Sequence, residues 1–181
     1  MNYYDVILAD VPWDFKVWNK DTGSGRSPSA HYPTMNLDDI CALPIKNLAN
    51  KNCALFFWGV WPRLFDCEKV IKAWGFKYAT KAFTWVKMDK TNSRPVMGMG
   101  YYTRANDEFC LLATRGHMPV AVHNEIGLIF APRRAHSQKP DEQYGKIERL
   151  YPNMRYLELF ARERRENWAA FGNEVEGSIT L

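Results

Sequence analysis

The chain has 181 residues, 46% of them hydrophobic and 24% charged, a balance that fits one globular domain over residues 1–181 and excludes a disordered tail, a solenoid and a membrane span. At this size roughly 70% of the unfolded surface is buried on folding, so a core forms without disulfides or a structural metal. The net charge is +4, and aromatic residues make up 14% with seven Trp, which permits a nucleic-acid partner without demanding one. Cys41, Cys53, Cys67 and Cys110 have no Cys-x-x-Cys spacing and read as small buried thiols of a reducing, cytoplasmic protein. No basic leader precedes a long apolar stretch and no run reaches the roughly 18 apolar residues of a spanning helix, so neither export nor a membrane is expected.

In chain order, the β-branched run Tyr4–Ala9 reads as a buried strand that delivers Asp10 at its carboxyl end, where ligands of open α/β sheets collect. Residues 14–34 have loop composition, and loops of that length are usually functional or disordered. CALFFW (53–58) predicts a second buried strand, and Pro62 opens a helix whose apolar face runs Leu64, Cys67, Val70, Ile71 and Trp74 before Gly75. Residues 82–86 and 109–113 predict two more strands, separated by a loop rich in Gly and Tyr that carries Lys87, Lys90, Arg94 and Arg104. A short strand is expected at 127–130. Pro140 begins a helix with Asp141 and Glu142 in its first turn and Arg149 in its last, matching the helix dipole. A final strand is expected at 156–161, and Asn167–Glu174 follows a polar break. Alternating strands and helices predict an α/β three-layer domain with at least part of its sheet parallel.

The tetrapeptide Asp10-Val11-Pro12-Trp13 joins a carboxylate, a stiff backbone and a large aromatic at a strand end. Such a corner suits an amine-bearing ring. The acid accepts one amino hydrogen, the Val11 carbonyl a second, Pro12 keeps the turn tight, and the Trp13 indole stacks on the ring, worth roughly 1–3 kcal/mol. The pattern alone is weak, since average composition produces it in about one chain in ten. The histidines show no ligand spacing, so no metal is expected.

The tetrapeptide resembles the Asp-Pro-Pro-Trp motif of amino-methyltransferases that use S-adenosylmethionine. Further stretches follow in order: HYPTMNLDDICALPI, CALFFWGVWPRL, KAWGFKYATKAFTWVK, GMGYYTRANDEFCLLATRGH, HSQKPDEQYGKIERLYP, LELFAR and NWAAFGNE. Together they are similar to the β-class N6-adenine methyltransferases, a family with a eukaryotic mRNA-modifying branch and bacterial and phage relatives. The resemblance implies a Rossmann-like fold, three-layer αβα, with permuted motif order: the catalytic strand first, the cofactor strand last. It therefore explains the missing Gly-x-Gly-x-x-Gly fingerprint.

Carried over residue by residue, the resemblance makes Asp10, Val11, Pro12 and Trp13 the catalytic corner. Asp10, Lys139, Phe160, Arg162, Arg164, Asn173 and Glu174 become the binding residues for S-adenosylmethionine. Lys139 takes the cofactor's carboxylate, and Asn173 and Glu174 take the ribose hydroxyls. A solvated lysine before a helix is the plain alternative for Lys139. Arg164 stands where the mRNA enzyme has His. Tyr32, with His31 beside it, closes a loop over the site or packs that loop onto the body, while Tyr101, Tyr102 and Arg104 contact nucleic acid or belong to the core. Val11 replaces the family's first Pro and supplies its own N–H.

The expected activity is methyl transfer to N6 of adenine, in DNA in preference to RNA. A duplex substrate would have to flip its base at a cost of a few kcal/mol. Lys16, Lys20, Arg26, Lys90, Arg94, Arg104, Arg133 and Arg134 are candidates to hold phosphates, though charged loops are most often only solvated. With no separate recognition domain, specificity is expected to be short or to come from a homodimer or protein partner. Two alternatives stand beside this: a non-catalytic, methyltransferase-like binding module, and a methyltransferase acting on a different amino group.

Overall fold

The computed structural model describes residues 3–14, 34–98, 100–134, 138–176 and 179. Seven strands form one sheet: β1 (Tyr4–Ala9), β2 (Ala49–Gly59), β3 (Lys77–Met88), β4 (Asp107–Arg115), β5 (Leu128–Pro132), β6 (Tyr156–Leu159) and β7 (Trp168–Phe171), in the spatial order β5-β3-β4-β2-β1-β6-β7. β4 runs against its neighbours β2 and β3, and every other pair is parallel. β1 therefore sits between β2 and β6, and its carboxyl end lies beside that of the last-but-one strand in sequence. This is the permuted, Rossmann-like arrangement that the motif order implies.

Central parallel strands are covered on both faces and so read as continuous apolar runs, which is why β1 and the CALFFW segment were visible in the sequence. On one face Ile7, Ala9, Leu55, Phe57 and Phe109 pack beneath α1 (Leu37–Ala42) and α2 (Leu64–Ala73), which contribute Ile40, Cys67, Val70 and Ile71. On the other, Val6, Leu8, Phe56, Trp58, Phe83, Trp85 and Cys110 pack beneath α3 (Glu142–Leu150) through Ile147 and Tyr151. Three layers result, with few helices. All four cysteines are free thiols, three of them buried.

Boundaries differ from expectation for local reasons. α1 was not anticipated. It has only six residues, and Asn36 caps it, accepting from the Asp39 N–H at 2.9 Å while its own amide donates to the Asp39 carboxylate at 2.7 Å. β3 begins at Lys77, well before position 82, because Lys77–Lys81 are exposed and show no buried periodicity; pairing with β4 recruits them. Pro62 lies in a 3-10 turn, Trp61–Arg63, so α2 starts at Leu64. β6 stops at Leu159 because Phe160 takes a left-handed backbone conformation, φ 61°. NWAAF forms an additional strand, β7, and Gly172 at its end is required by close approach: a Cβ there would lie 2.1 Å from the Ala161 carbonyl oxygen.

Trp74, fully buried at the end of α2, ties the two helices of its face together. Its indole N–H donates to the Ile40 carbonyl at 2.8 Å, and its ring meets Phe57 edge-on at 5.6 Å. Trp74→Ala is expected to cost about 3–5 kcal/mol, measured as a lower urea midpoint with an unchanged slope.

Candidate active site

Side chains alternate across a strand, so Asp10 shares a face with Leu8, the face that α3 covers. The same parity on β2, β4, β3 and β6 brings Trp58, Glu108, Lys87 and Glu158 to that face, at the edge where the parallel strands end and β4 begins. Register supports this: Leu8 pairs with Phe56 and Glu158, Trp58 with Cys110, and Trp85 with Glu108. The segment leading into α3 adds Lys139. Gln143, one turn on, anchors that helix by accepting the Trp58 indole N–H at 2.7 Å.

The charges form a row. Lys139 Nζ lies 2.6 Å from Asp10 Oδ2 and 3.1 Å from Glu108 Oε2, and Lys87 Nζ lies 2.6 Å from Glu108 Oε1. The Lys139–Glu108 contact compensates charge but falls outside directed hydrogen-bond geometry at Oε2. Lys139 is only 8% exposed, and its ammonium sits 5.6 Å from the Trp58 ring centroid, a favourable cation–π distance. Burial drives the Asp10 carboxyl above the ordinary carboxylate range despite Lys139, with Glu108 adding to the rise. Burial acts the same way on Glu108, but Lys139 and Lys87 overcome it and hold that carboxyl low. For Lys139 the two carboxylates outweigh burial and keep the ammonium protonated.

Asp10 Oδ1 has no hydrogen-bond partner among the described residues, so one carboxylate oxygen is committed to Lys139 and the other is available to a donor. The Val11 carbonyl accepts the Trp13 N–H at 2.9 Å, closing a three-residue turn around Pro12, whose own carbonyl accepts from Met35 at 2.9 Å. The Val11 oxygen retains a second lone pair. The Val11 side chain is 3% exposed inside the apolar cluster, so valine packs where the family has proline. Trp13 does not present an open face. It is 4% exposed and edge-on to Phe57 at 6.1 Å, and its Nε1 has no partner among the described residues.

The other sequence-predicted residues separate into groups. Arg162 and Glu174 come together, with Nε to Oε1 at 3.3 Å, because the Gly172 approach brings the end of β7 onto the segment after β6. Asn173 is exposed beside them. Phe160 packs edge-on with Phe171. Arg164 donates from Nε to the Glu176 carbonyl at 2.9 Å, and Lys139 is an interior ion-pair partner, not a solvated lysine. Tyr101 and Tyr102 lie outside the core, 86% and 94% exposed and in edge contact with each other. Arg104 is exposed in the same stretch, and Tyr32 and His31, with Lys16, Lys20 and Arg26, lie outside the described residues. Arg94 pairs with Asp89 and Arg134 with Asp141.

Several residues of this edge were not identified from sequence. Glu108 and Gln143 stand inside quoted motifs, NDEFC and DEQYG, but their partners are distant in the chain. Glu158, in LELFA, is a carboxylate with no ion-pair partner among the described residues. Tyr144 donates its hydroxyl to both Glu158 oxygens, at 2.9 and 3.0 Å. Burial pushes the Glu158 carboxyl to about 7, with Tyr144 opposing the rise and Asp10 adding to it. A hollow of about 340 Å³ adjoins this pair, lined by Asp141, Tyr144, Glu163, Arg164, Arg165 and Glu166.

Acids at the tips of two neighbouring strands of a permuted, mostly parallel sheet fit a methyltransferase of Rossmann-like fold. The sequence model of the MT-A70 family matches residues 4–174, and the chain belongs to that family. It is 31% identical to the type II methyltransferase M.MunI of a Mycoplasma species, over 95% of this chain and 78% of that one. It is 30% identical to an N(6)-adenosine-methyltransferase MT-A70-like protein of Drosophila melanogaster, over 96% of this chain and 27% of the other. Against the human N(6)-adenosine-methyltransferase catalytic subunit METTL3 the identity is 29%, over 96% of this chain and 28% of that protein. The chain thus spans about a quarter of the length of the adenosine-methyltransferase relatives. No helix among the described residues is long and apolar enough to cross a membrane.

Lys139→Met takes from Asp10 and Glu108, 33% and 15% exposed, their shared cation and is expected to destabilise by about 1–3 kcal/mol at pH 8. Loss of the cation raises the affinity of both carboxyls for protons in the folded chain, so the deficit shrinks as pH falls toward 4.5; urea titrations at the two pH values measure it. Glu158 carries the same sign in the wild type. Its folded value of about 7 lies above the ordinary 4.5, so stability present below pH 4.5 is lost as pH rises through 7. Glu158→Gln removes that loss, and its melting temperature is expected to gain on the wild type from pH 5 to about pH 7 and to level off by pH 8.

Proposed function

We propose that this chain transfers a methyl group from S-adenosylmethionine to N6 of adenine in nucleic acid, DNA in preference to RNA. The observation that carries the reading is Asp10: a carboxylate at the end of β1, with Oδ2 held by a buried lysine and Oδ1 without a hydrogen-bond partner among the described residues. The DNA preference follows the Mycoplasma type II methyltransferase, to which this chain is 31% identical over 95% of its residues.

The residues present fit the donor. It bears an ammonium, a carboxylate and two ribose hydroxyls, and beside Asp10 the edge offers a half-buried carboxylate with no ion-pair partner among the described residues, Glu158, and an arginine–glutamate pair, Arg162 with Glu174. Lys139, Phe160, Arg162, Arg164, Asn173 and Glu174 are the residues we assign to holding it. Once bound, the donor supplies an electrophilic methyl carbon on a sulfonium. Adenine N6 is a weak nucleophile because its lone pair is delocalised into the ring, so the corner has to position it and offset charge growing on nitrogen. Asp10 Oδ1 would accept one N6 hydrogen, and its carboxyl, raised by burial, would take that proton as the nitrogen–carbon bond forms and the carbon–sulfur bond breaks with its electron pair left on sulfur. The Val11 carbonyl accepts the other hydrogen on its free lone pair.

Stacking by Trp13 requires the indole to leave its contact with Phe57. The move breaks no hydrogen bond, since Nε1 has no partner there among the described residues. Tyr101, Tyr102 and Arg104 extend the substrate surface, with Lys90, Arg104 and Arg133 exposed for phosphates. Specificity beyond the adenine comes from a second copy or a protein partner.

Incubation with labelled S-adenosylmethionine and separate DNA and RNA pools, followed by digestion to nucleosides, is expected to yield N6-methyladenine, with more label in DNA. Asp10→Ala is expected to lower the rate by about a hundredfold or more. Label on another amino group, or cofactor and nucleic-acid binding without transfer and unchanged in Asp10→Ala, would overturn the reading.

A further inference from the structure

The edge that carries Asp10 ends at Glu158, and this second acid differs from the first. Asp10 and Glu108 each face a lysine, whereas Glu158 has no ion-pair partner among the described residues and is held by one side chain, Tyr144. A half-buried carboxylate without a cation still loses part of its hydration, a cost relieved by a proton or by a cationic ligand. The groups that face Glu158 are Tyr144 from α3, Asp10 from β1, and Glu163 and Arg165 from the segment after β6. The negative groups among them outnumber the one guanidinium, so the surroundings favour an added positive charge.

Tyr144 is fixed from three sides. Its hydroxyl spans both Glu158 oxygens, its ring meets Trp168 edge-on at 5.3 Å, and the Arg165 guanidinium lies 3.8 Å above the ring centroid. The same side chain lines the hollow beside Arg164, Arg165, Glu163 and Glu166. One tyrosine thus sets the direction of a carboxylate and the seat of a guanidinium, the two charges that complement a zwitterion. The span from Lys139 to Tyr144 also couples the two strand tips, since Lys139 engages Asp10 while Tyr144 engages Glu158.

Resting on the methyl-donor reading above, we propose that Tyr144 is a positioning residue, its hydroxyl aiming the Glu158 carboxylate at the ammonium of the donor's amino-acid tail. Tyr144 acts through Glu158 and touches no reacting atom. Its removal lowers affinity for ligands that carry the tail and leaves affinity for the bare nucleoside thioether unchanged. Removing the hydroxyl that bonds both Glu158 oxygens is expected to cost about tenfold or more in affinity.

The test is calorimetric titration of wild type and Tyr144→Phe with S-adenosylhomocysteine and with 5′-methylthioadenosine, which lacks the amino-acid tail. The phenyl ring retains the Trp168 and Arg165 contacts, so the variant keeps its fold, checked by circular dichroism. The expected result is weaker binding of the first ligand, by about tenfold, with the second changed less than twofold. Titrations near pH 7.5 in buffers of different ionisation enthalpy add a second measure. The wild type releases part of a proton on binding the tailed ligand, because the ammonium displaces protons from Glu158. The variant releases more, since the hydrogen bond that opposed the rise of Glu158 is gone. Equal weakening of both ligands, or proton release identical in the two proteins, overturns the positioning role while leaving the donor reading intact. A wild type that binds neither ligand overturns the donor reading and this role with it.

Discussion

The contact between the buried Lys139 and the half-buried Asp10 is the constraint on which the site depends. A carboxylate at a strand tip and a lysine just ahead of α3, 129 positions apart in the chain, meet at 2.6 Å with the lysine almost wholly out of solvent. Such a pair is poor evidence of stability, because removing two charges from water costs about what their attraction returns. Its effect is geometric. With Oδ2 committed to the ammonium, the orientation of the carboxylate is set and Oδ1 is left for a donor. Glu108 and Lys87 extend the arrangement across two further strands, so the position of Lys139 is determined from both sides.

The sheet makes this arrangement inexpensive. Parallel strands that all end at one edge bring their terminal residues together without further loops, and alternation sends every second side chain to the same face. β4, running the other way, contributes its first turn of residues to the same edge, which is how Glu108 joins a set otherwise drawn from strand ends. α3 closes the face through Gln143 and Trp58, and its leading segment carries Lys139 inward. The same helix reaches Glu158 through Tyr144. Two acids on neighbouring strands are thereby handled in different ways: one paired with a lysine, the other bonded, among the described residues, by a phenol and with an elevated affinity for protons.

The corner Asp10-Val11-Pro12-Trp13 differs in detail from the arrangement its pattern implies. Its acid stands at a strand tip, as the chain pattern implied, and its proline closes a three-residue turn. Valine in place of the family's proline is accommodated because its side chain fills the apolar layer. The indole is equally part of that layer, against Phe57, so a role on a base involves a change of position, not a preformed platform.

Much of the framework was legible in the chain itself. Continuous apolar runs marked β1 and the core of β2, the 3.6-residue apolar spacing marked α2, the Pro and acidic first turn marked α3, and the ordered motifs indicated the family. These are local signals, produced by burial on both faces of a strand or one face of a helix. What tertiary structure decided was long-range: the exposed half of β3, recruited only by its pairing with β4; the burial of Trp13; and the meeting of Lys87, Glu108, Lys139, Asp10 and Glu158. Charged residues carry no periodic mark of their partners, because an ion pair depends on distance in space and on shared exclusion of water. Neither quantity exists until the sheet has brought the strand ends together.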